Sequence, residues 1–149
     1  MIVAELTQVG NFFSQRGEPE GIGASQGYLS YMGKGVLLDA GTGFKKIKGH
    51  PIQRVYVPSE IGEHRVDLII CSHHHLDHAG YLPRTATLYP KAIIITPREC
   101  FQILKVMLPD ALKISLEEAS KASVLGYEPP VMPFTEEELK AFFALEGTA

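Results

Sequence analysis

The 149-residue chain has no tryptophan, only two cysteines, and not one histidine among the 71 residues after position 78. Two cysteines, Cys71 and Cys100, both in apolar surroundings, make no disulfide framework. That excludes a stapled secreted scaffold and leaves a reducing cytoplasm as the simplest setting. No apolar run approaches the roughly 20 residues that span a bilayer, so no membrane partner is expected. The start, Met1-Ile2-Val3-Ala4-Glu5, has neither the charged region nor the apolar core of a signal peptide. An excess of positive charge is missing too: 14 Lys and Arg stand against 17 Asp and Glu, a net charge of −3. This excludes a broadly cationic nucleic-acid surface. A local cluster remains, Lys45, Lys46 and Lys48, which reads as a solvated loop.

The absence of late histidines matters because the early part of the chain holds six, at 50, 64, 73, 74, 75 and 78. The run Val66-Asp67-Leu68-Ile69-Ile70-Cys71 is apolar at every position but one and reads as a fully buried strand. It leads into Ser72-His73-His74-His75-Leu76-Asp77-His78, with four potential metal ligands: His73, His75, Asp77 and His78. His73 and His75 lie two apart, so an extended backbone projects both imidazoles to one side. Asp77 and His78 follow the strand, where a turn or helix start can fold them back over the same place. Imidazole and carboxylate donors suit zinc, manganese or iron, and suit a pair of ions sharing a water. A lone histidine there would be a polar loop residue; four donors at this spacing make a metal site. His50 and His64 have no such neighbours and read as surface residues.

Composition is that of a globular domain, 45% hydrophobic and 21% charged, and the length fits a single domain. Strands dominate the first half. Residues 2–9 suit a first strand, followed by a glycine-rich loop through Gly10, Gly17, Gly21 and Gly23. The segment 21–26 lacks the last glycine of a dinucleotide fingerprint and follows no strand, which discards that reading. Ser25 to Met32 and Val36 to Asp39 flank Gly33-Lys34-Gly35, a hairpin connection. Residues 41–64 form a polar connection with one short strand at Arg54 to Val57. A further buried strand is predicted over Ala92 to Thr96. Pro97 then opens a helix whose Phe101, Leu104, Met107 and Leu108 form a core-facing stripe. Ser115-Leu116-Glu117-Glu118 and Thr135-Glu136-Glu137-Glu138 look like capping boxes, so two more helices are predicted to start there. Strands followed by strand–helix alternation give an α/β layered domain with no internal repeat.

The segment 73–78 closely resembles the H-x-H-x-D-H signature of the metallo-β-lactamase superfamily, a group of mostly dinuclear metallohydrolases. The resemblance implies that His73 and His75 serve one metal, and Asp77 and His78 the other. It makes His74 a variable position facing away. It gives Asp39, at the end of Val36-Leu37-Leu38-Asp39, the part of bracing the ligand loop from behind. Asp77 is implied to be catalytic as well, orienting a hydroxide shared by two zinc ions (or manganese or iron) or accepting its proton. In that superfamily a third His, a bridging Asp and a final His come from downstream segments, and no histidine follows His78 here. The tail, Tyr89-Pro90-Lys91-Ala92-Ile93-Ile94-Ile95-Thr96-Pro97 with Leu108-Pro109-Asp110 and Pro133-Phe134-Thr135-Glu136-Glu137-Glu138-Leu139, looks like the β-CASP nuclease branch. The expectation is therefore the N-terminal half of an αββα sandwich. Residues 1–149 would be a partial domain without its second half or the β-CASP insert. As part of a longer protein it would act on nucleic acid, RNA ahead of DNA, with the isolated chain inactive. Its exposed half-domain face would invite self-association. The alternatives are another hydrolase of the superfamily, acting on a thioester, lactone or lactam, and a non-catalytic metal-binding or interaction module.

Overall fold

A computed structural model of the chain describes residues 4–8, 22–46, 48–57 and 64–146. Residues 1–3 and the expected glycine-rich loop at Gly10, Gly17 and Gly21 lie outside the described residues.

Five strands form the main sheet. β1 (Ala4–Gln8), β3 (Gly27–Tyr31) and β4 (Lys34–Leu38) run antiparallel in sequence order, and β7 (Leu68–Ile70) and β8 (Ile93–Ile95) add on parallel to β4. A small antiparallel sheet, β2 (Ile22–Gly23), β5 (Gly43–Lys45) and β6 (Arg54–Tyr56), lies outside it. The β3–β4 hairpin turns tighter than its glycines suggest. Lys34 and Gly35 belong to β4, and the turn is Met32-Gly33, with φ of 47° and 73°. Two consecutive positive φ values are the type I′ geometry that matches strand twist. β2 and β5 were not anticipated, because two- and three-residue strands carry no period and exist only through their pairing.

Four helices follow: α1 (Leu76–Ala79), α2 (Leu82–Leu88), α3 (Arg98–Leu125) and α4 (Glu136–Phe143). Pro97 stands just before α3 as its N-cap, one residue ahead of the expected first turn. The expected helix start at Ser115 is corrected: α3 runs straight through it. Ser115 spends its hydroxyl on the Ala111 carbonyl one turn back, at 2.9 Å, instead of capping an N-terminus. Pro109 also lies inside α3, where it has no N–H to offer the preceding turn. Burial of Leu104, Leu108 and Leu112 on one face holds the helix together across both breaker signals. The second capping box forms as expected. Thr135 Oγ1 accepts from the Glu138 amide at 3.2 Å, while Glu138 Oε2 accepts from the Thr135 amide at 2.7 Å.

All four helices fall after β7, and the core forms on one face of the sheet. Leu37 and Ile69 are fully buried beneath Leu82, Leu104, Leu108, Phe134 and Phe142. Strand alternation puts Val36, Leu38, Leu68, Ile70, Ile93 and Ile95 on the other face. The register aligns Val36 with Leu68 and Ile93, and Leu38 with Ile70 and Ile95. Here β7 departs from the fully buried strand read from its sequence. Only Ile69 is buried, Leu68 and Ile70 are half-buried, and on β8 Ile93 and Ile95 are 58% and 52% exposed. The apolar run is written for a sheet covered on both sides, and the described residues cover one.

Candidate metal centre

β4 and β7 are parallel neighbours, so their carboxyl ends lie side by side, the usual place for a site on such a sheet. Both chains turn off the sheet there. Asp39 takes a left-handed conformation with φ of 59°, which an aspartate tolerates better than most side chains. Its amide still donates to the Ile70 carbonyl of β7 at 2.8 Å. The turn aims its carboxylate at the loop after β7. Oδ1 accepts the Ser72 amide at 2.7 Å; Oδ2 lies 3.0 Å from the Ser72 hydroxyl and 2.9 Å from His78 Nδ1.

Backbone bonds hold α1 against the same corner. Ala40 N–H donates to the His78 carbonyl, Ser25 N–H to that of Asp77 and Thr42 N–H to that of Leu76, all within 2.9 Å. Gly41 makes this approach feasible. A Cβ at that position would come within 1.7 Å of the Asp77 carbonyl oxygen. On the other side of the loop, Cys71 donates its thiol to the His73 carbonyl at 3.1 Å. Burial, with the neighbouring Cys100 thiol, pushes the Cys71 thiol up to about 12, so it stays protonated and acts as a structural donor.

The imidazoles converge. The ring of His73 lies 4.1 Å from that of His78 and 4.7 Å from that of His75, centroid to centroid. His74 stands 6.4 Å from His73 and 4.9 Å from His75, at the side of the group. The proton positions follow from Asp39, whose ionised carboxylate can only accept. His78 must then carry a proton on Nδ1. Ser72 gives its one hydroxyl proton to Oδ2 and accepts from His73 Nδ1, 2.9 Å away. In the neutral rings the lone pairs are thereby left on Nε2 of both His73 and His78. His78 Nε2 faces Asp77 Oδ2 at 3.4 Å. With His78 neutral these are two acceptors facing each other, an arrangement that a divalent cation between them would neutralise. The separation is that of two ligands on one tetrahedral ion with bonds of about 2.0–2.1 Å. A cavity of about 370 Å³ opens beside them, lined by Thr42, Phe44, His75, Leu76, Asp77 and Met107.

The donors fit a divalent ion in kind and fall short in number. Among the described residues no group of three or more His, Cys, Asp or Glu side chains is posed to hold one ion. Of the two histidines read as surface residues, His64 is exposed and His50 is half-buried against Tyr127. Sequence reasoning did not single out Ser72, Ser25, Thr42 or Gly41, which orient the loop. Ser72 was legible in principle, being the residue that joins the strand to the ligands.

Residues 23–140, which include Asp39 and the whole ligand loop, match the metallo-beta-lactamase superfamily. The chain belongs to that superfamily. Its mixed α/β architecture, a sheet delivering side chains from its carboxyl edge, accords with the superfamily's fold. Among curated proteins it is similar to Ribonuclease TTHA0252 of Thermus thermophilus, with 30% identity over 82 residues. That match takes in 55% of this chain and 18% of the ribonuclease, so the chain spans less than a fifth of that relative's length.

Proposed function

We propose that this member of the metallo-beta-lactamase superfamily is part of a metal-dependent phosphodiesterase that cleaves nucleic acid, RNA in preference to DNA, in the cytoplasm. His73 and His75 would hold one divalent ion and Asp77 and His78 a second, zinc being the first choice for such donors. Asp39 fixes the His78 ring and, through Ser72, the His73 ring. Bound divalent ions supply Lewis acidity toward a phosphoryl oxygen and a water acidic enough to attack at neutral pH. The chain's own work is to present four donors at one corner, and Asp77 would be the carboxylate able to orient a water there or take its proton. The observation that carries the metal assignment is the gathering of the donors at one corner, with the His73 ring 4.1 Å from that of His78 and 4.7 Å from that of His75, and Asp77 Oδ2 3.4 Å from His78 Nε2. The similarity to an enzyme named as a ribonuclease supports the nucleic-acid assignment. The finer placement in the β-CASP branch, with a second half-domain completing each ion's ligands, rests on the tail sequence and the uncovered sheet face. A second reading, a non-catalytic metal-binding or interaction module, draws on the want of a third donor per ion.

The test is cleavage of a labelled single-stranded RNA, with zinc or manganese against EDTA, by the longer protein carrying this domain. Native protein is compared with His73→Ala/His75→Ala, and thioester, lactone and β-lactam substrates run in parallel. Metal-dependent RNA cleavage lost in the variant supports the proposal. Hydrolysis of one of the parallel substrates with RNA left intact overturns the nuclease assignment.

A further inference from the structure

Away from the metal corner, residues 50–53, ahead of β6, meet the segment leaving α3 in a cleft of about 470 Å³. That volume lies within the range of small-ligand sites. His50, Gln53 and Val55 line one wall; Tyr127, Glu128 and Pro130 line the other. The cleft is braced. The Gln53 amide donates to Glu118 Oε2 of α3 at 3.1 Å. His50 Nδ1 is held by the Ile52 backbone, 3.2 Å from its amide. The His50 ring meets Tyr127 edge-on at 4.9 Å, while Tyr127 remains 44% exposed. Just outside, on the same loop, stand the exposed Lys46 and Lys48, with Lys45 half-buried at the end of β5. The lysine cluster that composition alone assigns to solvent thus borders an aromatic cleft.

We infer that this cleft takes one unpaired nucleobase of a single-stranded nucleic acid, stacked on Tyr127, with Lys46 and Lys48 on the flanking phosphates. The inference rests on the nucleic-acid reading above and adds a binding position to it. The charge pattern gives the orientation. Glu128 in the wall repels phosphate, so the backbone is turned outward to the lysines. The same carboxylate, with the Gln53 side-chain amide, suits a base edge that presents N–H donors. β5 joins this cleft to the metal corner, because Phe44 lines the cavity beside His75 and Asp77 while the strand leads directly into the lysine loop.

The experiment measures binding of a fluorescein-labelled single-stranded oligoribonucleotide by anisotropy, in EDTA, over a series of salt concentrations. Tyr127→Ala is expected to weaken binding about tenfold or more, the loss of one base–aromatic stack, with Tyr127→Phe close to native. Lys46→Glu/Lys48→Glu is expected to flatten the salt slope by about 1.4 units, the share of two single-strand phosphate contacts. All three variants change exposed side chains only, and circular dichroism checks that each is folded. Native affinity in Tyr127→Ala, an unchanged slope in the lysine variant, or no preference for single-stranded over duplex RNA overturns the site. Because the assay contains no metal, those failures leave the metallohydrolase reading standing. Tyr127-dependent binding without RNA cleavage under metal does the reverse.

Discussion

Replacing Asp39 by Asn keeps its size and its tolerance of a left-handed backbone while removing the charge on which the loop is built. Oδ1 can remain an oxygen and still accept the Ser72 amide. The other position becomes an NH2, facing two groups that were both donors, the Ser72 hydroxyl and His78 Nδ1–H. Relief requires Ser72 to rotate and His78 to move its proton to Nε2, the atom that would bind metal. Charge-assisted bonds of this kind are worth about 1.5–3 kcal/mol each, and the Ser72 side is open to solvent, so a net loss of about 2 kcal/mol is expected. For a chain of this size that lowers the Tm by about 4–8 °C. Zinc affinity is expected to drop roughly 10–100-fold, the usual cost of losing a residue that orients a metal-binding histidine. Thermal melts in EDTA isolate the first effect, and competition against a chelating dye isolates the second. A Tm within about 1 °C of native together with unchanged zinc affinity would refute the proton assignment and the bracing role.

Gly41→Ala places a methyl group 1.7 Å from the Asp77 carbonyl; backbone must move, and urea unfolding should show a loss of about 3 kcal/mol or no folded protein. A midpoint equal to native would mean the corner is looser than its hydrogen bonds indicate. Calorimetry with zinc is expected to show weak binding by the chain alone, abolished in His73→Ala/His75→Ala; submicromolar uptake of two ions by a monomer would mean further ligands exist. Asp67 lies well below the usual carboxylate range, at about 2, first through its hydrogen bond with Arg65 and then through the Gly35 amide. Its folded value is depressed, so its stabilisation is complete above the unfolded value of about 3.9 and fades as pH falls toward 2. Asp67→Asn should flatten that part of the acid-unfolding curve, and an identical acid limb in both proteins would count against it. Sedimentation at rising concentration should reveal self-association through the sheet face carrying Leu38, Ile93 and Ile95, relieved by Ile95→Lys. A monomer at all concentrations would remove that face as an interface.

The sequence by itself determined the pieces whose causes are local. The cluster of His73, His75, Asp77 and His78 proposed as ligands, the apolar strand delivering it, the Thr135 capping box and the stripe on α3 all arise from near neighbours, where period and hydrogen-bonding chemistry can be read directly. Tertiary structure decided what depends on residues far apart. Ser115 and Pro109 signal breaks that α3 ignores, because burial of Leu108 and Leu112 against the sheet outweighs local preference. β2 and β5 exist only as pairing partners. The apolar run at β7 could not say that one of its faces stays open, since exposure depends on what packs there. The proton pattern needed β4 and β7 as parallel neighbours, which sets Asp39 against Ser72 and His78 across more than thirty residues of chain. A sequence names the candidate donors; only the fold chooses which nitrogen of His73 and His78 keeps its lone pair.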